Sequence, residues 1–349
     1  MLDKVGGDMV RPRLNLRPPI KTEPLDNTFE AFVGQGRPLV ITVAAVVVTR
    51  NRPALLKRCL AAIDSQTYPA SQLVVVDNAS DEPTRDLLAV EAARRDSSFH
   101  SIRLEENTGG AGGFHAGMRA CLSLPCTHMW LMDDDCEPDS EAVAELVAAA
   151  AIVGEDAVLG GNIVDLDGES VNVQSVSQRL GTNCVPQYPL HLADGLLEMR
   201  ALTFVSFLVS VDLVQKVGLP LKEFFIWGDD TEYSRRLARF TRLYQVGKSK
   251  TKHLKSGDAS QSLVREQDHN KIPQYYWFYR NRLFVNLKYD GFISTSTFQF
   301  IFRSFRDLYF SIRGGKFALL KSRTILYGLF SGIAFALSTP NKERLGLLD

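Results

Sequence analysis

At 349 residues with 45% apolar side chains, the chain can bury one large core or two modest ones, which excludes a disordered polypeptide. Forty basic residues balance forty acidic ones, so bulk charge carries no polyanion-binding signature and no nucleic-acid partner is expected. The five cysteines (Cys59, Cys121, Cys126, Cys136, Cys184) are odd in number and contain no C-x-x-C pair, which argues against a disulfide framework or a zinc site and for a reducing cytoplasm. No stretch reads as a signal peptide, and none reaches the roughly 20 apolar residues of a membrane span.

Residues 1–38 hold five prolines among charges with little apolar periodicity and read as a flexible N-terminal extension. From Leu39 the β-branched run VITVAAVVVT predicts a strand covered on both faces. A helix over Pro53–Ser65 and a second strand, LVVVDNAS, complete a βαβ unit. Helices over Thr84–Arg95 and Gly113–Ser123 alternate with the strands SIRLEE and HMWLMDDD, predicting an α/β fold around a central, mostly parallel sheet. Val158 to Ala201 breaks into short strand candidates separated by turn residues and is expected to shape the acceptor side. Then follow the strand FVSFLVSV, a helix from Val211, the loop FFIWGDD, the helix TEYSRRLARF and a strand ending near Lys252, closing a catalytic domain over 39–258. Residues 259–349 form a C-terminal helical, aromatic and basic region, with eleven basic against three acidic residues between Ile272 and Leu345.

Five features carry chemistry. Asp133, Asp134 and Asp135 follow a buried strand directly, and so much negative charge is costly there unless a cation arrives. Hard oxygen ligands suit Mn²⁺ or Mg²⁺, and the carboxyl ends of strands are where ligands gather in α/β sheets; an acidic turn with a helix cap is the plainer alternative. Asp77 ends its strand in a position to accept a hydrogen bond from a base or ribose, or simply to make an Asx-turn. Asn107–Gly113 reads as a glycine-rich loop leading into a helix, open to close approach by an anion, but it is no dinucleotide fingerprint, and Gly247-Lys248-Ser249 is no P-loop, since Arg242 stands where that motif needs a glycine. In Trp227-Gly228-Asp229-Asp230, a carboxylate can take a proton from a hydroxyl and the indole can stack on a sugar, while helix capping by either acid competes as a reading. His253 adds an imidazole, a sensible ligand beside carboxylates.

In this order, VVVTRNRP, VVVDNAS, ENTGGAGGF, MDDD and FFIWGDDTEYSRR resemble family 2 glycosyltransferases with a GT-A fold, over about residues 43–258. The combination looks most like bacterial galactofuranosyltransferases, with rhamnosyltransferases as close relatives. The resemblance implies a GT-A nucleotide-sugar-binding fold and an inverting transfer from UDP-galactofuranose, or alternatively dTDP-rhamnose, to a hydroxyl of a lipid-linked or cell-surface glycan. It places Thr49, Arg50, Asn51 and Arg52 at the donor nucleotide, Asp77 at the base, and Asn107 with Gly110 at the diphosphate and ribose. It assigns Asp133, Asp135 and His253 to the metal, Asp134 to the donor sugar, and Trp227 to the acceptor. Asp230 aligns with the general base and Asp229 with its acidic neighbour, and a one-residue slip would exchange them. The small N-terminal extension is closer to the short, initiating type than to the polymerising one. A catalytically inactive sugar-nucleotide or glycan-binding module is the alternative from a different class.

The C-terminal region interleaves Tyr275–Tyr279, Tyr309 and Phe310 with Arg306 and Arg313, a surface suited to anionic headgroups. Thr324–Thr339 is apolar but short for a span. Peripheral contact with the inner face of the cytoplasmic membrane is the expectation.

Overall fold

The computed structural model describes residues 41–254, 262–314 and 316–339. The N-terminal extension, Ser256 and Gly257 after His253, and Lys342, Glu343 and Arg344 lie outside the described residues.

The first strand, β1 (Val43–Thr49), is buried at every position. Val43, Ala45 and Val47 enter one apolar cluster, while Ala44, Val46 and Val48 enter another on the opposite face. A strand covered on both sides needs no polar alternation, which is why this stretch reads as a continuous apolar run. Around it lie α1 (Pro53–Asp64), β2 (Gln72–Asp77), α2 (Glu82–Arg94), β3 (Phe99–Arg103), α3 (Gly109–Cys121) and β4 (His128–Asp133). Strands β3, β2, β1 and β4 are neighbours in that order and parallel throughout. Their carboxyl ends therefore open on one side of the sheet, carrying Thr49, Asp77 and Asp133.

The sheet continues through β5 (Cys136–Pro138), β6 (Val158–Val164), β7 (Leu196–Glu198), β8 (Phe207–Ser210) and β9 (Leu243–His253), interspersed with α4 (Ala142–Val153), α5 (Val211–Val217) and α6 (Asp229–Leu237). Beyond β4 the order is β8, β6, β9, β5, with β7 also on β9. Here β8 is antiparallel to β4 and β6, β9 is parallel to β6, and both β5 and β7 pair antiparallel with β9. Gly247–Ser249 fall between two registers, since Val246 pairs with Gly161 and Lys250 with Asn162. That triplet, which is no phosphate loop, is an irregularity in the β9 pairing.

The sequence reading puts the glycine-rich run in a loop, but the structure makes it the first turns of α3. Glycines cost helix stability, and here packing decides. A β-carbon on Gly113 or Gly117 would run into Val48 or Val46, so their absence lets α3 lie directly on β1. A similar shift moves Asp229 and Asp230 from a loop into the first turn of α6. The chain ends its described course in α7 (Tyr275–Val285), a short π-turn, α8 (Thr295–Arg313) and α9 (Ala318–Ser338).

Candidate active site

A cleft of about 850 Å³ opens over the carboxyl ends of β1 and β4. One wall holds Arg50, Arg52 and Asp133–Asp135, another Asn107 and Gly110, and the far side Trp227, Asp229, Asp230 and Arg282.

The acidic end is assembled by sheet register. Because β5 pairs with β9, Cys136 stands opposite His253, and the Leu254 amide donates to the Asp135 carbonyl at 2.7 Å. His253 Nε2 thus comes within 3.2 Å of Asp135 Oδ1, a buried oxygen with no other polar partner among the described residues. The Asn172 amide, 3.3 Å from Nδ1, can orient the ring from behind. Asp134 is only 2% exposed and is held by the β1–α1 turn. Thr49 Oγ1 donates to it at 2.7 Å, and Arg52 Nη1 lies 3.2 Å from Asp134 and 3.0 Å from Asp135. Burial, with Asp135 and Asp134 beside it, pushes the Asp133 carboxyl up to about 8. Asp135 is lowered despite burial, because His253 and Arg52 favour its charged form.

These residues fit an open cation site better than a closed one. Among the described residues no three His, Cys, Asp or Glu side chains converge as a ready cage. Asp135 and His253 instead present a carboxylate oxygen and an imidazole side by side, with Asp133 at the same end of the cleft. A buried carboxylate oxygen whose polar neighbour is an imidazole nitrogen has room for a hard cation to join both.

The sequence-predicted nucleotide residues separate into two groups. Thr49, Arg50, Arg52, Asn107, Gly110 and Asp134 line the cleft, whereas Asn51 and Asp77 do not. Asn51 joins two loops, its amide donating to Ser80 Oγ and its side-chain oxygen accepting from the Asp81 amide. Asp77 is buried, accepting from the Ser80 amide at 2.8 Å and pairing with Arg103. Its carboxylate makes the Asx-type turn that was the plainer reading of the motif. Asn78 does more at the cleft. Its side chain donates to the Gly109 carbonyl at 2.9 Å and accepts from the Thr108 amide at 2.9 Å, fixing the start of α3. Gly110 faces open space, so a ligand can approach its backbone there.

The acid pair is held from two sides. Phe225, Trp227 and Gly228 have φ of 60°, 63° and 90°, an unfavourable backbone for the first two. Asn281 of α7, fully buried, sets its side-chain nitrogen 2.8, 3.0 and 2.9 Å from the carbonyls of Phe224, Ile226 and Trp227, which share its two hydrogens. From α3 the Ala111 amide donates to the Phe225 carbonyl at 3.1 Å. A β-carbon on Gly109, whose φ is +70°, would overlap that same carbonyl oxygen. Burial, with Asp230 adjacent, pushes the Asp229 carboxyl up to about 7. Asp230 is raised as well, chiefly by burial, although Thr231 donates to it through its amide at 2.6 Å. Asp229 is the more buried of the two, and Asp230 the more open to the cleft. Just below them the buried Glu232 pairs with Arg236 at 3.0 Å and accepts from Tyr289 at 2.6 Å, anchoring α6. Sequence reasoning missed Asn172 and Asn281, isolated amides that no local motif marks.

Replacing Asn281 by Ala would remove two N–H donors shared among three carbonyls, of which, among the described residues, only that of Phe224 also accepts from a backbone amide, that of Ile226, and would release a loop of unfavourable φ. Buried carbonyls without partners cost on the order of 1–3 kcal/mol each. The variant is expected to lower kcat at least about tenfold with donor affinity little changed, checked by steady-state kinetics beside donor binding.

Residues 44–217 match the family model described as Glycosyl transferase family 2. Over 202 residues the chain is 33% identical to galactofuranosyltransferase GlfT1 of Mycolicibacterium smegmatis, covering 56% of this chain and 65% of that protein. The chain thus spans just under two thirds of that curated relative. Among solved structures, GalNAc-T7, crystallised with UDP, GalNAc and Mn²⁺, superposes with a TM-score of 0.56 at 17% identity, over 81% of this chain and 54% of that one. Residues 1–349 of Staphylococcus aureus TarS, in complex with UDP, give a TM-score of 0.52 at 13% identity, over 86% and 93%. The strand-end acidic cluster, the mixed sheet and these likenesses agree: residues 44–217 match glycosyl transferase family 2, and the chain has a GT-A-type fold.

Proposed function

We propose that the protein is an inverting glycosyltransferase that moves a sugar, galactofuranose from UDP-galactofuranose, onto a hydroxyl of a lipid-linked or cell-surface glycan. The observation that carries this reading is the meeting, in one cleft, of Asp133–Asp135 with His253 at one end and the Asp229–Asp230 pair at the other. Likeness to galactofuranosyltransferase GlfT1 supports the choice of donor.

The donor nucleotide lies along Thr49, Arg50 and Arg52, with Asn107 and the open backbone of Gly110 beside its ribose and diphosphate. Asp135 and His253, with Asp133 alongside, would hold Mn²⁺ or Mg²⁺, which when bound neutralises charge on the departing diphosphate. Trp227 offers its ring to the acceptor sugar. Asp230 takes the proton of the acceptor hydroxyl as that oxygen bonds to the anomeric carbon, and the bond from that carbon to the phosphate oxygen breaks, its electron pair leaving with the nucleoside diphosphate. One displacement inverts the anomeric centre and needs no covalent enzyme intermediate. Asp229 keeps the pair's proton affinity close to neutral pH. Residues 39–258 carry this chemistry and 259–349 form the helical, aromatic and basic C-terminal region, with peripheral contact at the inner membrane face.

Incubating the protein with UDP-galactofuranose or dTDP-rhamnose, Mn²⁺ and a lipid-linked acceptor tests the reading directly. UDP release with a hexose mass gain on the acceptor is expected. Release of dTDP with a deoxyhexose gain would reassign the donor, and tight donor binding without turnover would make the protein a binding module.

A further inference from the structure

Helix α8 is built inside out for a helix facing water. Its buried positions are Thr297, Ser304 and Ser311, one every seven residues. The opposite stripe carries Phe298, Phe302, Phe305 and Tyr309, exposed by 71, 64, 56 and 51%. Helix α9 repeats the scheme. Gly328 and Gly332 pack against the backbone of α7, where a β-carbon would not fit, while Tyr327 and Phe330 stand out at 65 and 70%. An apolar face of this extent on a folded protein marks a partner.

The charges choose the partner. Arg303, Arg306, Arg313, Lys316 and Arg323 are exposed among these aromatics. Asp307 is the one acid between Thr295 and Ser338, and it is already engaged by the Tyr279 hydroxyl and Arg306. A second copy meeting this face across a two-fold axis would bring arginines onto arginines. Aromatic rings interleaved with arginines instead match the headgroup layer of an anionic bilayer, apolar below and negative above. None of the helices among the described residues is long and apolar enough to cross a membrane, so the face would lie on it.

The face also communicates with the cleft. Phe225, a cleft residue, stacks on Trp277 at 5.1 Å, Trp277 meets Tyr276 at 4.9 Å, and Tyr276 meets the exposed Tyr327 at 5.9 Å. We propose that α8 and α9 rest in the headgroup layer of an anionic bilayer, and that this aromatic run guides an acceptor, anchored in the bilayer by its lipid tail, to the cleft. The second half rests on the glycosyl-transfer reading; the first does not.

The test is flotation of the full chain with phosphatidylcholine vesicles, with and without phosphatidylglycerol, at low salt. Binding is expected with phosphatidylglycerol and weak without it. Phe302→Ser with Phe305→Ser should lower partitioning at least roughly tenfold, and Arg303→Gln with Arg306→Gln should remove most of the phosphatidylglycerol dependence. Both variants should keep the wild-type melting temperature and turnover of a short water-soluble acceptor, while the Phe variant loses turnover of a lipid-linked acceptor presented in vesicles. Absence of wild-type binding, or equal binding by the variants, would overturn the proposal. So would a wild-type dimer in sedimentation that the Phe variant dissolves, which would give the face to a second copy. Failure of the glycosyl-transfer reading would appear separately, as vesicle binding by a protein that releases no nucleotide from any donor.

Discussion

Asp230→Asn is expected to lower kcat by roughly 10²–10⁴-fold, the usual contribution of a positioned general base, with donor affinity within about twofold of wild type. The amide preserves the shape of the first turn of α6 and removes the proton acceptor. On the proposed mechanism the acid pair also fixes the pH profile. Only an ionised carboxylate accepts the proton, and the Asp229 value of about 7 and the raised Asp230 value bring the pair's titration toward neutral pH. Turnover should therefore rise with pH through the neutral range and fall away on the acid side. Asp229→Asn, with one negative charge fewer beside Asp230, should move that acid limb to lower pH while retaining turnover. Normal turnover by Asp230→Asn with loss in Asp229→Asn would exchange the two roles.

Removing the cation should have an effect of similar size. With chelator, nucleotide release is expected to cease, and His253→Ala should raise the Mn²⁺ concentration for half-maximal rate at least about tenfold. Thermal melting gives a readout independent of turnover. Mn²⁺ with UDP should raise the wild-type melting temperature and leave His253→Ala nearly unmoved. The sign of the pH dependence follows from Asp133, whose carboxyl rises from an ordinary 3.8 to about 8 on folding. The folded protein then holds a proton that the unfolded chain has lost, so this group's contribution to stability declines as pH climbs from about 4 to about 8. A cation held there would displace that proton, so the Mn²⁺-induced melting shift should grow across the same window. Undiminished turnover in chelator would leave Arg52, between Asp134 and Asp135, as the positive charge closest to the acidic cluster.

What the sequence made legible is what local pattern controls. The strands ending at Thr49, Asp77 and Asp133 stand out because a buried parallel strand must be apolar at consecutive positions, so the first polar residue marks its end. The glycine run was harder. Helix propensity argues for a loop, and only the closeness of α3 to β1 at Val46 and Val48 turns the same glycines into a helix. Asp77 is a case of a strand-end carboxylate absorbed by its own turn and Arg103, outside the reach of the cleft. Asn281 lies more than fifty residues from the loop it holds, and Asn172 more than eighty from His253. Nothing in the local sequence at either asparagine announces such contacts, which exist only once α7 and the segment after β6 have packed.

The register that sets Cys136 opposite His253 has a consequence for the chain's biosynthesis. Translation delivers Asp133–Asp135 more than a hundred residues before the strand that brings the imidazole beside them. In the interval β4 can join β1 and β2, with Arg52 as counter-charge, but the acidic end of the cleft is unfinished. Pairing across so long a stretch of chain carries a large loop-closure cost and forms late. On the glycosyl-transfer reading the donor site is thus completed only once β9 has emerged, while the parallel strands β1 to β4 can pair well before the acidic end of the cleft has its imidazole.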